Sequence, residues 1–332
     1  MARRWTPDEV LELARAYQPA CVLAAAADLD VFTLLTDGPA TATALASKLG
    51  ADVRATTILL DALVAMELLA QEDGRYAVPP GVADVLSESG ARNVLPMVRH
   101  QSNCLRRWAQ LARVVKTGRP AQRGTSIRGE QADEAAFIGA MHTISAPTAA
   151  RLIGEMGPPA FRCVLDVGGA SGTWTIALLN AVPTASAILF DLPSVVPMAR
   201  QRLAEAGLSG RVTFVAGDFY VDPLPAGADL VWLSAIAHQN SREQNRELFR
   251  KIHAALDPGG SLIIRDIVMD ESHTRPAAGA MFAVNMLVGT EAGGTYTFEE
   301  YRSDLEAAGF ADVRLLRRDP WMDSLIRACR RA

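Results

Sequence analysis

From Phe161 onward, short apolar runs alternate with helical stretches, and this alternation restricts the second half of the chain to a doubly wound α/β sheet. The runs 163–167, 187–190, 212–216, 230–234 and 261–267 are too short for helices and rich in Val, Ile and Leu, as strands buried on both faces are. Helices are predicted between them near 174–181, 195–206 and 242–256. The ending reads as a helix at 298–308 and strands at 313–318 and 324–329, which suits a sheet closed by an antiparallel edge pair.

The first half has a different rhythm. Thr6-Pro7-Asp8-Glu9 combines an N-cap, a Pro at the first helical position and acids in the first turn. A second helix is predicted over 19–35, a short one from Thr41, and another over 54–66 with Ile58, Leu59, Ala62 and Leu63 on one stripe. Residues 68–78 then alternate around Asp73-Gly74, a hairpin signal. Helices followed by a hairpin are the order of a winged helix, which invites a DNA-binding reading. The segment 54–66 would be the recognition helix, yet it offers one Arg on a largely apolar surface. That surface suits burial against protein, so residues 1–88 read as a dimerisation domain and the chain as a homodimer. Residues 89–157 read as linker helices, at 99–116 and 137–156, with a polar stretch at 119–133. The turn Gly157-Pro158-Pro159 opens the α/β domain, 158–332.

Bulk properties exclude several function classes. A net charge of −4 with scattered Arg argues against nucleic acid, because phosphate binding needs concentrated positive charge. The apolar stretch 20–27 is far short of the roughly 20 residues that span a bilayer, and no leader pattern opens the chain, so neither a membrane partner nor export is expected. Cys21, Cys104, Cys163 and Cys329 form no C-x-x-C pair, and reduced thiols in a cytoplasmic protein are the expectation. His100 and Cys104 would share a helix face, but two candidate ligands make no site, and no metal is expected.

The chemistry-bearing residues fall at predicted strand ends. The first strand exits through Asp166-Val167-Gly168-Gly169-Ala170-Ser171-Gly172 into a helix, a loop that lets backbone amides approach a ligand. Ala170 and Thr173 stand where the dinucleotide fingerprint needs Gly, so a nicotinamide cofactor is disfavoured. Asp191 ends the second strand about 20 residues later, placed to accept from ribose hydroxyls. Gly217-Asp218-Phe219 ends the third, where an Asp can take an adenine amino group and Phe219 can cover the ring. The fourth strand, through Ser234, leads to His238, and the fifth leads to Asp266. Neighbouring strands lie about 5 Å apart, so this His and Asp can meet above the sheet as a base and its orienting acid. Two plainer roles remain open at this stage: His238 as a cap for the helix that follows, and Asp266 paired with Arg265.

These stretches, with Phe190-Asp191-Leu192-Pro193, Leu233-Ser234-Ala235-Ile236-Ala237-His238 and Leu256-Asp257-Pro258-Gly259-Gly260, resemble the two-domain O-methyltransferases that depend on S-adenosylmethionine, of plant caffeate/flavonoid type and of bacterial natural-product pathways. The resemblance covers nearly the whole chain. It implies a winged-helix dimerisation domain joined to a class I Rossmann-like methyltransferase domain, and methyl transfer to a hydroxyl of a small, aromatic or polyketide-like acceptor. It implies that Asp166, Gly168, Gly169, Gly172, Asp191, Leu192, Asp218, Phe219 and Ser234 hold the cofactor, with His238 as base and Asp266 beside it. It further implies that Met141, Asn285, Met286 and Thr295 line the acceptor pocket. The chain departs from the family in three places. Ala170 replaces a third glycine, Gln239-Asn240 replaces Asp-Trp after the His, and Thr295 falls where plant members carry a Glu flanking it; Glu291 is the nearby acid. The departures leave N- or C-methylation, or a non-methylating reaction, as the nearest alternative. A winged-helix regulator with a cofactor-sensing domain is a remote one, against which the apolar recognition helix and His238 both count.

Overall fold

A computed structural model describes residues 3–157 and 160–332. The Pro158-Pro159 part of the expected turn and Met1-Ala2 lie outside the described residues. The chain forms two compact units, Met1–Arg106 with Arg123–Thr143, and Arg107–Gln122 with Ile144–Ala332.

In the first unit, the opening helix Pro7–Arg15 has the capping box its sequence encodes, Thr6 and Glu9 each accepting the other's backbone amide. It buries none of its residues, and Val10, Leu11 and Leu13 stay exposed. The helix expected over 19–35 is two, Tyr17–Asp28 and Val31–Leu34. The break is at Asp30, which adopts a φ of 58° while its Oδ1 accepts from Thr33 Oγ1 and Arg99 Nη2, both at 2.8 Å. Local side-chain bonding of this kind lets an Asp leave the helical region where an apolar residue would continue it. Helices Ala42–Leu49 and Val53–Ala65 follow, then the hairpin Ala70–Glu72 and Arg75–Ala77, to which Ala40–Thr41 adds an unexpected third strand. The buried residues of Val53–Ala65 are Thr56, Leu60 and Leu63; of the expected stripe Leu63 is buried, Leu59 and Ala62 are half-buried, and Ile58 is exposed. Ile58 stands two residues, about 200° of helix, before Leu60, and points outward. The linker segment 99–116 is also two helices, Leu95–Trp108 and Leu111–Thr117, and the expected helix 137–156 begins at Glu130 and runs to Met156.

The second unit is built on a seven-stranded sheet, here labelled β1 (Cys163–Val167), β2 (Ser186–Asp191), β3 (Val212–Ala216), β4 (Ala228–Ser234), β5 (Leu256–Asp266), β6 (Ala311–Arg317) and β7 (Ser324–Cys329). The order is β3-β2-β1-β4-β5-β7-β6, with β7 alone running opposite to the other six strands. The expected edge pair is therefore a hairpin whose second strand inserts beside β5. β5 starts at Leu256 rather than 261, with a register shift where it meets Ala228 and Leu230 of β4. Both faces are packed: Trp174, Leu178, Leu203 and Trp232 fill one, and Leu165, Val231, Phe249, Ile264 and Leu305 the other. Strand order reverses between β1 and β4, so a crevice opens at their C-terminal ends, where open α/β sheets bind ligands. A short parallel ladder, Val268–Met269 with Tyr296–Thr297, brings the segment after residue 290 back to the exit of β5.

Candidate active site

The loop leaving β1 is shaped by backbone conformation and by crowding. Gly168 has a φ of 70°, and a Cβ there would lie 2.5 Å from Ile236 Cδ1. Gly169 is needed for packing, since a Cβ would lie 2.7 Å from Leu189 Cγ, and Gly172 caps the following helix at a φ of 79°. Ala170 also lies in the left-handed region, at a φ of 47°, so a position where the family has glycine keeps the conformation that favours glycine. Beneath the loop Asp166 is buried and accepts from Thr175 Oγ1 at 2.6 Å. Burial, with the neighbouring Asp191 charge adding to it, pushes the Asp166 carboxyl up to about 7.

Asp191, at the end of β2, braces the same loop. Its Oδ2 accepts the Ala170 amide and its Oδ1 the Leu192 amide, each at 2.7 Å, and burial raises its pKa. Each oxygen keeps acceptor capacity for a ligand hydroxyl, and Leu192 is exposed beside it. Asp218 sits in a tight turn: its amide donates to Asp222 Oδ2 at 2.8 Å and its Oδ1 accepts the Tyr220 amide at 2.9 Å. The rings of Phe219 and Tyr220 lie 4.6 Å apart. Lys251, absent from the sequence reading, holds this turn by donating to the carbonyls of Phe219, Tyr220 and Asp222. No spacing rule signals such a contact across about 30 residues.

Ser234, at the end of β4, accepts from Arg265 Nη1 at 3.2 Å. Arg265 pairs with Asp323 and lies over the Trp174 ring. Successive strand residues face opposite ways, so Asp266 points away from that pair, and the Arg265–Asp266 pairing left open above does not form. Asp266 instead meets His238: its Oδ1 lies 2.8 Å from His238 Nδ1, and its Oδ2 accepts the His238 amide at 3.3 Å. Both residues are buried. The following helix, Arg242–Ala255, is capped by Ser241, which removes the capping role from His238. Phe282 sets its ring edge-on to His238, centroids 4.8 Å apart, a contact the sequence reading missed. Phe282 lies three and four residues before Asn285 and Met286 on the helix Ala277–Gly289, a spacing that places all three on one face.

Of the expected acceptor-pocket residues, Asn285 accepts from Trp108 Nε1 at 2.9 Å and Met286 is buried. Thr295 is buried with its hydroxyl directed at the Gly279 carbonyl, 3.4 Å away. Its neighbour Gly294 donates to the His238 carbonyl at 2.8 Å. Met141 is half-buried on Glu130–Met156, in the part of that helix belonging to the first unit. His100 Nε2 and Cys104 Sγ lie 3.6 Å apart on one helix face, with His100 also against Phe137. Among the described residues no three His, Cys, Asp or Glu side chains cluster as metal ligands, and no helix is long and apolar enough to cross a membrane.

A mostly parallel sheet with one antiparallel strand beside β5, a glycine loop after β1 and an acid ending β2 are the arrangement that the sequence resemblance implies for an S-adenosylmethionine-dependent methyltransferase domain. Comparison with known proteins specifies which kind: residues 108–311 match the O-methyltransferase domain and residues 11–89 the O-methyltransferase dimerisation domain. The chain belongs to this O-methyltransferase family. It is 33% identical over 328 residues to the 3-hydroxy-5-methyl-1-naphthoate 3-O-methyltransferase of Streptomyces sahachiroi, covering 94% of this chain and 91% of that one. It is also 33% identical over 312 residues to the N,N-dimethyltransferase OxyT of Streptomyces rimosus, covering 91% and 90%. Among solved structures it superposes on PigF with SAH at a TM-score of 0.86 and 27% identity, covering 98% of this chain and 100% of that one.

Proposed function

We propose that this methyltransferase acts on a hydroxyl of a small aromatic or polyketide-like acceptor, with His238 as general base and Asp266 orienting it. The observation that carries this reading is the buried His238–Asp266 pair at the ends of two adjacent strands, beside the crevice at the β1–β4 reversal. The cofactor, when bound, supplies a methyl group that is already electrophilic on a sulfonium. What the chain must add is alignment and a place for the acceptor's proton. A phenol is mostly protonated at neutral pH, and an imidazole nitrogen is a suitable base for it.

The residues present fit the cofactor. A loop held open by Gly168 and Gly172, an Asp191 carboxylate with spare acceptor capacity, and the Asp218–Phe219 turn offer partners for the methionine, ribose and adenine parts in turn. Asp166 and Gly169 support the loop from below, and Leu192 and Ser234 flank the crevice. Asn285, Met286 and Thr295, all in the second unit, are assigned to the acceptor pocket. Residues 1–88 are assigned to a homodimer interface, 89–157 to linker helices and 158–332 to catalysis. The wholly exposed apolar side of Pro7–Arg15 supports the interface. A cytoplasmic location belongs to the same reading, and the four free cysteines support it.

N-methylation is the second reading, favoured by the likeness to OxyT. Incubation with methyl-labelled cofactor and matched panels of hydroxynaphthoates, polyketide phenols and aromatic amines decides between them. Label recovered as an aryl methyl ether supports the proposal, and label recovered only on nitrogen overturns it.

A further inference from the structure

Where the resembling family has Trp, the residue two after His238 is Asn240, and it is fully buried. Its side chain is spent on both sides. Oδ1 accepts from the Tyr220 hydroxyl at 2.5 Å, and Nδ2 donates to Asn245 Oδ1 at 3.0 Å. Asn245 Nδ2 in turn donates to the carbonyl of Ala237, the residue before His238, at 2.9 Å. The backbone carbonyl of Asn240 accepts from the Tyr296 hydroxyl, and that of His238 from the Gly294 amide. Asn240 therefore joins three loops: the Asp218–Phe219–Tyr220 turn, the 3₁₀ turn carrying His238, and the strand segment at Tyr296. The first is itself clamped by Lys251, which stands on the same helix as Asn245.

Hydrogen bonds are directional, so a buried amide bonded at both ends fixes the relative placement of the groups it joins. Burial and the Asp218 charge raise the Tyr220 pKa, which keeps its hydroxyl protonated and donating.

We propose that the Tyr220–Asn240 bond is a strut that couples the cofactor's adenine-side turn to the placement of His238, which makes Asn240 a positioning residue. The inference rests on the reading of Asp218–Phe219 as the adenine turn and His238 as the base.

The test uses Tyr220→Phe, which removes one hydroxyl from a half-exposed ring, with Asn240→Leu as the second variant. The probe is S-adenosylhomocysteine, and the readout is the ¹⁵N signal of the His238 ring in the full-length enzyme. In the wild type, adding the probe should shift that signal. In Tyr220→Phe the shift should fall by half or more, and turnover by about 5–10-fold, as for one lost hydrogen bond worth about 1 kcal/mol. Probe affinity should stay within about threefold, since no cofactor contact is removed. Asn240→Leu should reproduce the NMR result if it folds, and Tyr220→Phe alone decides if it does not. A full His238 response in Tyr220→Phe overturns the strut, as does a wild type whose His238 signal ignores the probe. His238→Ala run in parallel separates the two ideas: wild-type turnover there removes the base, whereas the strut is judged on the NMR response.

Discussion

His238 Nδ1 lies 2.8 Å from Asp266 Oδ1, and the same oxygen accepts the Ile267 amide at 2.8 Å. An oxygen already receiving a backbone N–H is committed as an acceptor, so Nδ1 carries the proton in this pair. The other ring nitrogen, Nε2, is left with its lone pair. Phe282 meets the ring edge-on and limits its rotation. The imidazole is thus presented in one tautomer.

His238→Ala should lower kcat by roughly 10²–10⁴ while leaving S-adenosylhomocysteine affinity nearly unchanged. Asp266→Ala should cost less, because orientation is lost but the base remains. Steady-state kinetics across pH check both. Near-wild-type turnover in His238→Ala, with the acidic limb of the profile intact, would demote His238 to packing. Proximity would then suffice, as it does for an acceptor already deprotonated.

Asp191→Ala should weaken cofactor binding by roughly 2–4 kcal/mol, the scale of lost hydrogen bonds to a charged group. Part of that loss is indirect, since the Ala170 and Leu192 amides lose their acceptor and the glycine loop its brace. Asp191→Asn should fall between, keeping one acceptor oxygen. Calorimetric titration gives the ranking, and equal affinities would take Asp191 out of the site.

Much of this candidate site is legible in the sequence because strand ends are. Asp166, Asp191, Asp218, His238 and Asp266 each follow an apolar run, and a parallel sheet gathers such positions along one edge. What is not legible is side-chain pairing across long separations. Arg265 finding Asp323, Lys251 the turn at Phe219, or Tyr220 reaching Asn240 depends on packing, which no local pattern encodes. Asn240 is visible only as a departure, since its role depends on three loops folded separately. In the first unit, Asp30 breaks a helix that apolar periodicity alone would continue, and Ile58 falls outside the buried stripe because a 13-residue helix offers more apolar positions than one face holds.

The Asp166 carboxyl gives a pH dependence with a definite sign. Its pKa is raised by burial from 3.8 to about 7, so between those values the folded chain binds more protons than the unfolded one. Stability should therefore fall as pH rises from about 4 to about 7 and level off above, where both states are ionised. Asp166→Asn, a neutral mimic that retains an acceptor for Thr175, should remove this component. The difference in melting temperature between wild type and variant should shift steadily in the variant's favour up to about pH 7. A difference that does not change with pH would mean that Asp166 is not the titrating group.

Ala170 offers the most local test. Its φ of 47° places an L-residue in the left-handed region, at a cost of roughly 1–2 kcal/mol. Ala170→Gly relieves that cost but loosens the unfolded chain, which takes back about 0.4–1 kcal/mol. The net change should be small, between about zero and 1.6 kcal/mol on the stabilising side. Ala170→Val keeps the positive φ and adds a branched side chain that tolerates it poorly, so it should destabilise the domain well beyond the Gly variant. The Ala170 amide, 2.7 Å from Asp191 Oδ2, is the contact most exposed to any shift of the loop. Ala170→Val should therefore lose cofactor affinity as well as stability, while Ala170→Gly loses neither. Urea melts and calorimetry on the two variants read both quantities. A Gly variant less stable than the Val variant would mean that this loop does not hold residue 170 at positive φ.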